Sequence, residues 1–327
     1  MHDVIVAGDA NTDIIVPYPR FLNKERTRVK YPEPEIHGGG TCANTAVALS
    51  RLGMDTTFIG TIGDDQYGHF IQRDFEDAGV DDSGLVVDAS LNTVGVFAFV
   101  DERGERYLWG WPRVDRSFTV LDESKVDFNA FNGARWLHTS GMMLTYDTSA
   151  RQTIIDIMKA AHERGIATSL DLNLRVDDGV LDPGFAAALQ RIMPYVTYLL
   201  GSGPEEFSYL GDQDWQANAA ALAVDGRVVV ARDGCHGSVA FTDGKRIDSP
   251  AYHVEVEDTI GAGDVFNAGF IAALLNGRNL QRALQAGNAV SGYKVARKGA
   301  RSTPNLTQLE DFMAATHASV AEEGKAS

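Results

Sequence analysis

Short apolar runs recur along the chain and alternate with stretches in which apolar residues repeat at helical spacing. "DVIVAGD", "TTFIGTIG", "RWLHTSG", "ATSLDLN", "VTYLLGS" and "RVVVARDG" read as strands. Cys42 to Leu52, Tyr67 to Ala78 and Thr153 to Glu163 read as helices, and two more close the chain. This alternation predicts an α/β fold in which a mostly parallel sheet carries helices on both faces. Two segments interrupt it. Asp13 to Ile36 is rich in proline and charge, and "TVGVFAFVDERGERYLWGWPR" sets alternating runs on either side of a turn at Gly104. Together, about residues 13–37 and 93–113, they predict a separate small sheet, a lid on the main domain of residues 1–315. No internal repeat or low-complexity tract is present, and the small, polar tail, residues 316–327, is expected to fray.

Composition narrows the function. At 327 residues, 44% of them hydrophobic, the chain can bury the core of one large α/β unit with a small appendage. A formal charge of −16 excludes the broad cationic face that nucleic acids require, so any anionic ligand is small. Cys42 and Cys235 fit no metal-binding spacing and point to a reducing compartment. With no cleavable leader and no apolar run of membrane-spanning length, the expectation is a soluble cytoplasmic protein with no membrane partner.

The stretch "VEDTIGAGDVFNAGF", Val256 to Phe270, carries the most chemistry. Gly261, Ala262 and Gly263 stand before Asp264 at the start of a helix whose apolar face is Val265, Phe266, Phe270, Ala273 and Leu274, and which Asn276-Gly277 ends. Unpaired amides and the helix dipole attract an anion there, and small residues let it approach the backbone. An acid in that place would repel a resident phosphate, yet it suits the removal of a proton from an attacking hydroxyl. The two features together suggest phosphoryl transfer. Taken alone, the turn also reads as an ordinary glycine-rich loop whose acid favours the helix dipole.

"DTIGAGD", Asp258 to Asp264, resembles the C-terminal signature of the ribokinase, or PfkB, family of carbohydrate kinases. "GGGTCANTAVALSRLG" followed by "FIGTIGDDQYG" resembles the N-terminal signature, with Gly39, Gly40, Asn44, Ala46, Gly53 and Gly63 in register. Cys42 departs from the family's usual Gly, Ala or Pro. The resemblance spans nearly the whole chain. It implies a ribokinase-like three-layer αβα sandwich with a small β-sheet lid, ATP and Mg2+ as cofactors, and leaves open an activating monovalent cation. It also implies Asp264 as general base and the amides of Gly261, Ala262 and Gly263 as an anion hole for the migrating phosphoryl group.

The other site residues rest on the same resemblance. Asn11 and Asp13, with Gly39, Gly40 and Asn44, would hold sugar hydroxyls; the first two also read as an Asx-type turn, and the others as a plain loop with a helix cap. "SLDLNLR" resembles the branch of sugar-acid and ketose kinases, such as 2-keto-3-deoxygluconate kinase and fructokinase-like members. Its Arg175 suits a phosphate or carboxylate of the substrate, and its Asn173 the nucleotide side. Arg232, Gly234 and Gly237 of "VVVARDGCHG", and Asn288, would border the nucleotide, although each also reads as structural. Glu206 would organise Mg2+ through water, with Gly203 where the family commonly has Asn; Glu205 and Glu206 also read as first-turn acids. In "ERYLWGWPRVDRS", Arg106, Tyr107, Trp109, Trp111 and Arg113 form an aromatic and cationic group. There Trp111 is the expected ligand contact, Arg113 a partner for a substrate acid group, and Trp109 a packing residue of the lid or of a homodimer formed through it.

The expected activity is therefore ATP-dependent phosphoryl transfer to a hydroxyl of a small sugar or sugar acid. A nucleoside kinase shares both signatures, and a non-catalytic sugar-binding regulator is a third reading, one that gives no reason to keep Asp264. A dinucleotide oxidoreductase is the weakest reading, because "VAGDANTD" has a single glycine where its fingerprint needs three.

Overall fold

Val4–Ala7 is buried along its whole length, and its alternate residues feed two different cores: Ile5 and Ala7 on one side, Val4 and Val6 on the other. A strand with no solvated face belongs in the middle of a sheet covered on both sides. The computed structural model describes residues 2–17, 33–101, 106–113 and 115–323, and in it this strand, β1, is an interior strand of a nine-stranded sheet, between β8 and β4.

From β1 the chain leaves the central layer for β2 (Asn11–Pro17) and β3 (Glu35–Gly39) and returns through α1 (Thr41–Arg51). β4 (Thr56–Gly63), α2 (Gln66–Ala78) and β5 (Asp81–Asp88) follow, before β6 (Gly95–Val100) and β7 (Arg106–Gly110) leave the layer again. Next come β8 (Trp136–Ser140), α3 (Ser149–Glu163), β9 (Ala167–Asp171), a short hairpin of β10 (Val176–Asp177) and β11 (Val180–Leu181), and α4 (Pro183–Ile192). β12 (Tyr198–Ser202), α5 (Gly203–Glu206), α6 (Trp215–Ala221), β13 (Val228–Arg232), β14 (Ser238–Thr242) and β15 (Lys245–Ser249) lead into α7 (Ala262–Leu275), α8 (Leu280–Val295) and α9 (Leu306–Glu323).

The central order is β15-β14-β13-β12-β9-β8-β1-β4-β5, parallel throughout except for the antiparallel edge strands β14 and β15. One core packs α3, α4 and α6 against the sheet, and the other packs α1, α2, α7, α8 and α9 against its opposite face. The result is the three-layer αβα sandwich that the alternation and the resemblance implied. Three helices rather than two close the chain, and α9 continues to Glu323, into the stretch expected to fray.

A second sheet, in the order β3-β2-β6-β7, stands apart from the first. It is built from the two segments that interrupted the alternation. The turn expected at Gly104, and residues 18–32 of the first segment, lie outside the described residues. Register sorts its side chains into two faces: Asp13 opposite Val96, Ile15 opposite Ala98 and Ala98 opposite Leu108 share one, while Phe97 opposite Trp109 and Phe99 opposite Tyr107 share the other.

Candidate active site

The helix that begins after "DTIG" is anchored before it is functional. Phe266 and Phe270 are 2% and 0% exposed, each contributing about 1.5–3 kcal/mol of burial, so the first turn of α7 is held from behind. Gly261 caps it with φ of 76°, and a Cβ there would come within 3.0 Å of Ala300. Glycine is thus required by both conformation and space. No side chain caps the helix; the Ala262 amide donates to the Thr259 carbonyl at 3.2 Å, which leaves the amides of Gly261 and Gly263 for a ligand.

Two cavities meet at this turn. Gly261 and Asp264 line a cleft of 580 Å³ beneath the second sheet, together with Asn11, Asp13, Asn44 and Arg175. Ala262 and Gly263 line a separate cavity of 590 Å³, together with Arg232, Gly234, Gly237 and Asn288. Residues far apart in sequence are thus gathered into two cavities, one with Asn11, Asp13, Asn44 and Arg175, the other with Arg232, Gly234, Gly237 and Asn288. Asn173, expected on the nucleotide side, lines the first cleft, beside Arg175, and not the second cavity. It follows β9, whose carboxyl end opens toward that cleft.

Asp264 is 8% exposed, and Asn44 Nδ2 donates to its Oδ2 at 2.8 Å. Burial pushes its carboxyl up to about 7 from 3.8, against the pull of that hydrogen bond and with help from the negative charges of Asp171 and Asp9. A carboxylate that exchanges its proton near neutrality is suited to general base chemistry. Asn44 is itself aimed by Arg301, whose Nε donates to Asn44 Oδ1 at 3.1 Å and whose Nη2 donates to the Gly39 carbonyl. Arg301 also pairs with Asp74, and burial lowers it to about 10, so it stays cationic at neutral pH.

The glycines at 38–40 leave room for their neighbours. A Cβ on Gly38 would strike the Arg301 guanidinium, one on Gly39 would meet Asn11 and Asp13 at 2.7 Å, and one on Gly40 would meet the Asp9 carbonyl at 2.6 Å. Gly38 and Gly40 line the cleft, and the missing side chains at 38–40 also make room for Arg301, Asn11, Asp13 and the Asp9 backbone. Asp9 was not recognised from the sequence. Its carboxylate accepts from the amides of Thr41 and Cys42 at 2.8 and 3.1 Å, and so caps α1 from the connection between β1 and β2. Asn11 Nδ2 donates to Asp13 Oδ1 at 2.9 Å; burial raises the Asp13 carboxyl, partly offset by Arg301. Cys42 is buried beside Gly8, and burial also raises its thiol, so the departure at this position fills space and is chemically inert.

Behind the turn lies a buried ionic network. Arg232 Nη2 donates to Asp171 Oδ1 at 2.7 Å and lies 3.8 Å from Glu206, and Arg232 Nη1 donates to Asn267 of α7 at 2.6 Å. Burial disfavours the Arg232 charge, but Asp171 and Glu206 outweigh it. Glu206 accepts from the amides of Leu174 and Ser202 at 2.7 and 2.6 Å, while burial, and then Asp171, raise its carboxyl. At Gly203 the reason for the departure is steric: a Cβ would come within 2.8 Å of the Trp215 ring. Asn288 lines the second cavity but spends its amide on the carbonyls of Ser249 and Pro250, holding the wall in place.

On the second sheet, Leu108 lines the cleft while Trp111 does not. The Trp111 ring instead packs on Tyr67 at 5.0 Å and on Phe97 at 5.6 Å: it lies two residues past Trp109, so strand alternation continued beyond Gly110 puts it on the face of Trp109 and Phe97, opposite to that of Leu108. Trp109 lies on the outer face, 68% exposed, and Tyr107 beside it is 57% exposed; Arg106 begins β7. Arg113 and Arg175 converge on the Met142 sulfur, at 3.6 and 3.5 Å, and both line the cleft. Burial, and then the charge of Arg113, lower Arg175. Among the described residues no group of three His, Cys, Asp or Glu side chains is placed to hold a metal ion, and no helix is long and apolar enough to cross a membrane.

A model of the pfkB family of carbohydrate kinases matches residues 1–308. The chain is 30% identical to an ATP-dependent ribose-1-phosphate kinase from Halopiger xanaduensis, over 95% of this chain and 97% of that one. It is 26% identical to a 5-dehydro-2-deoxygluconokinase from Bacillus licheniformis, over 96% of each. In fold it is similar to a putative ribokinase II from E. coli in complex with ATP and Mg2+, with a TM-score of 0.81 at 20% identity over 96% of this chain and 99% of that one. The match over nearly the whole length, on a sheet that gathers two cavities around the turn at 261–264, makes the chain a member of the pfkB family of carbohydrate kinases, an ATP-dependent kinase of a sugar or nucleoside.

Proposed function

We propose that the chain transfers the γ-phosphoryl group of ATP to a hydroxyl of a sugar that itself carries an anionic group. The observation that carries the transfer is the turn at 261–264, which meets one cavity through Gly261 and Asp264 and the other through Ala262 and Gly263. A nucleotide in the second cavity would point its terminal phosphate at the turn that carries the Gly261 and Gly263 amides, and an acceptor in the first would lie beside Asp264. Asp264 takes the proton as the hydroxyl attacks; the amides stabilise the charge that develops on the equatorial oxygens. Asn44 holds the carboxylate in line, and Asn11 and Asp13 hold the other hydroxyls.

Anionic substrates are favoured by Arg113 and Arg175, two guanidiniums brought together on the cleft wall, where their mutual repulsion needs a counter-charge. This is in keeping with a sugar phosphate as the substrate named for the first relative. Asp171 and Glu206 already accept hydrogen bonds from Arg232, Asn267, Leu174 and Ser202. Such a donor set fits a Mg2+ ion that stays on the ATP phosphates with its own waters and meets Glu206 only through one of them. Bound there, Mg2+ would neutralise the β- and γ-phosphate charge. Two copies pair through the outer face of the small sheet, where Phe97, Phe99, Tyr107 and Trp109 form an aromatic patch.

The test is ADP release with ATP and Mg2+ over neutral sugars, sugar acids, sugar phosphates and nucleosides. The expected result is turnover with a sugar acid or sugar phosphate at least about tenfold above its neutral counterpart in kcat/KM. Turnover confined to neutral sugars or nucleosides would contradict the anionic class, and no ADP release from any acceptor would contradict the transfer itself.

A further inference from the structure

Lys294 has no solvent exposure at all, which is rare for a lysine and costly unless its ammonium is held. It sits in the last turn of α8 and donates from Nζ to the Asp258 carbonyl at 2.6 Å, with Asp258 Oδ1 at 3.7 Å. Asp258 is the first residue of the segment that leads into the anion-accepting turn. Its carboxylate accepts from the amide of Ile260 at 3.0 Å and from that of Gly299 at 2.9 Å, and its own amide donates to the Val295 carbonyl. The 294–301 segment therefore grips the turn at both ends: Lys294 and Gly299 hold its start, and Ala300 packs against Gly261, within 3.0 Å of where a Cβ would stand. Two residues past Gly299, Arg301 aims Asn44 at the base.

We propose that Lys294 is a positioning residue for phosphoryl transfer, its buried ammonium fixing Asp258 so that the Gly261 and Gly263 amides face the migrating phosphate. It touches neither cavity and acts only through the turn. The proposal rests on the kinase reading above. An anion hole contributes to the rate only if its donors are in place before the charge develops, so a turn released by about 1 Å loses turnover on the order of 100-fold while sugar binding is unaffected.

The test measures kcat and KM of the full-length protein as wild type, Lys294→Met and Lys294→Ala, with thermal unfolding as the folding control. Lys294→Met keeps the volume and removes the charge; its kcat is expected to fall by roughly 10- to 100-fold with the acceptor KM changed less than about threefold. Lys294→Ala leaves room for a small cation, and n-propylammonium chloride is expected to restore its kcat saturably where sodium chloride of equal ionic strength does not. Either variant suffices if the other fails to fold. Wild-type kcat in Lys294→Met, a loss confined to KM, or equal recovery with both salts would overturn the proposal while wild-type turnover leaves the kinase reading intact. Absence of transfer in the wild type would remove that reading, and this inference with it.

Discussion

At the scale of single residues, the account turns on the protonation of Asp264. Its carboxyl exchanges a proton near 7 because burial opposes the charged form, and only the charged form can accept the acceptor's proton. Activity is therefore expected to fall as pH drops through about 7, with kcat/KM losing roughly tenfold per unit below it. A profile flat down to about pH 5 would remove the assignment. The same shift has a consequence for stability. A folded carboxyl that titrates near 7 instead of 3.8 binds more protons than the unfolded chain between those values, so stability falls as pH rises through that window. Asp264→Asn removes the cost of the buried charge. The variant should be more stable than wild type at about pH 8, by on the order of 1–4 kcal/mol, and equal to it near about pH 4. Denaturant titrations at both values measure this; a variant no more stable at the higher pH would contradict it.

At the scale of elements, what could be read from sequence was what local chemistry decides. Gly261, Ala262 and Gly263 ahead of Asp264 announce an open helix start because backbone amides are the same in every protein. Likewise, the apolar runs announce strands. What could not be read depends on which distant element arrives next to a residue. Lys294 in the last turn of a helix reads as an ordinary partner of the helix dipole, and only the fold brings Asp258 to it. Arg301 and Asp9 were invisible for the same reason: their partners Asn44 and Thr41 lie 257 and 32 positions away. Trp111 was misplaced because two residues of strand spacing return it to the face of Trp109 and Phe97, away from the cleft-lining Leu108. Gly203 shows a departure whose cause is a single neighbour. Restoring the family's residue, Gly203→Asn, should destabilise the fold by about 1–3 kcal/mol through collision with Trp215, and Trp215→Ala should relieve most of that increment. Additive losses in the double variant, followed by denaturant unfolding, would show that the ring is not the obstacle.

At the scale of the whole molecule, the αβα sandwich supplies strand ends, and the small sheet supplies a roof. One face of that sheet covers the acceptor cleft with Leu108, Ala98 and Asp13, while the other exposes Tyr107 and Trp109. A thin sheet with an aromatic outer face is stable only when that face is covered, which is why a dimer belongs to the proposal. Trp109→Glu should shift sedimentation from dimer to monomer and raise the acceptor KM, as the roof loosens, by more than it lowers kcat. A monomeric wild type would contradict this.

The central claim is tested most directly by single-turnover phosphoryl transfer from γ-labelled ATP in wild type and Asp264→Asn, with binding of ATP and acceptor measured on the same samples. The account predicts that the variant binds both within about threefold of wild type and transfers the phosphoryl group slower by on the order of 10²–10⁴-fold, the usual contribution of a general base. Transfer at the wild-type rate by the variant would contradict it.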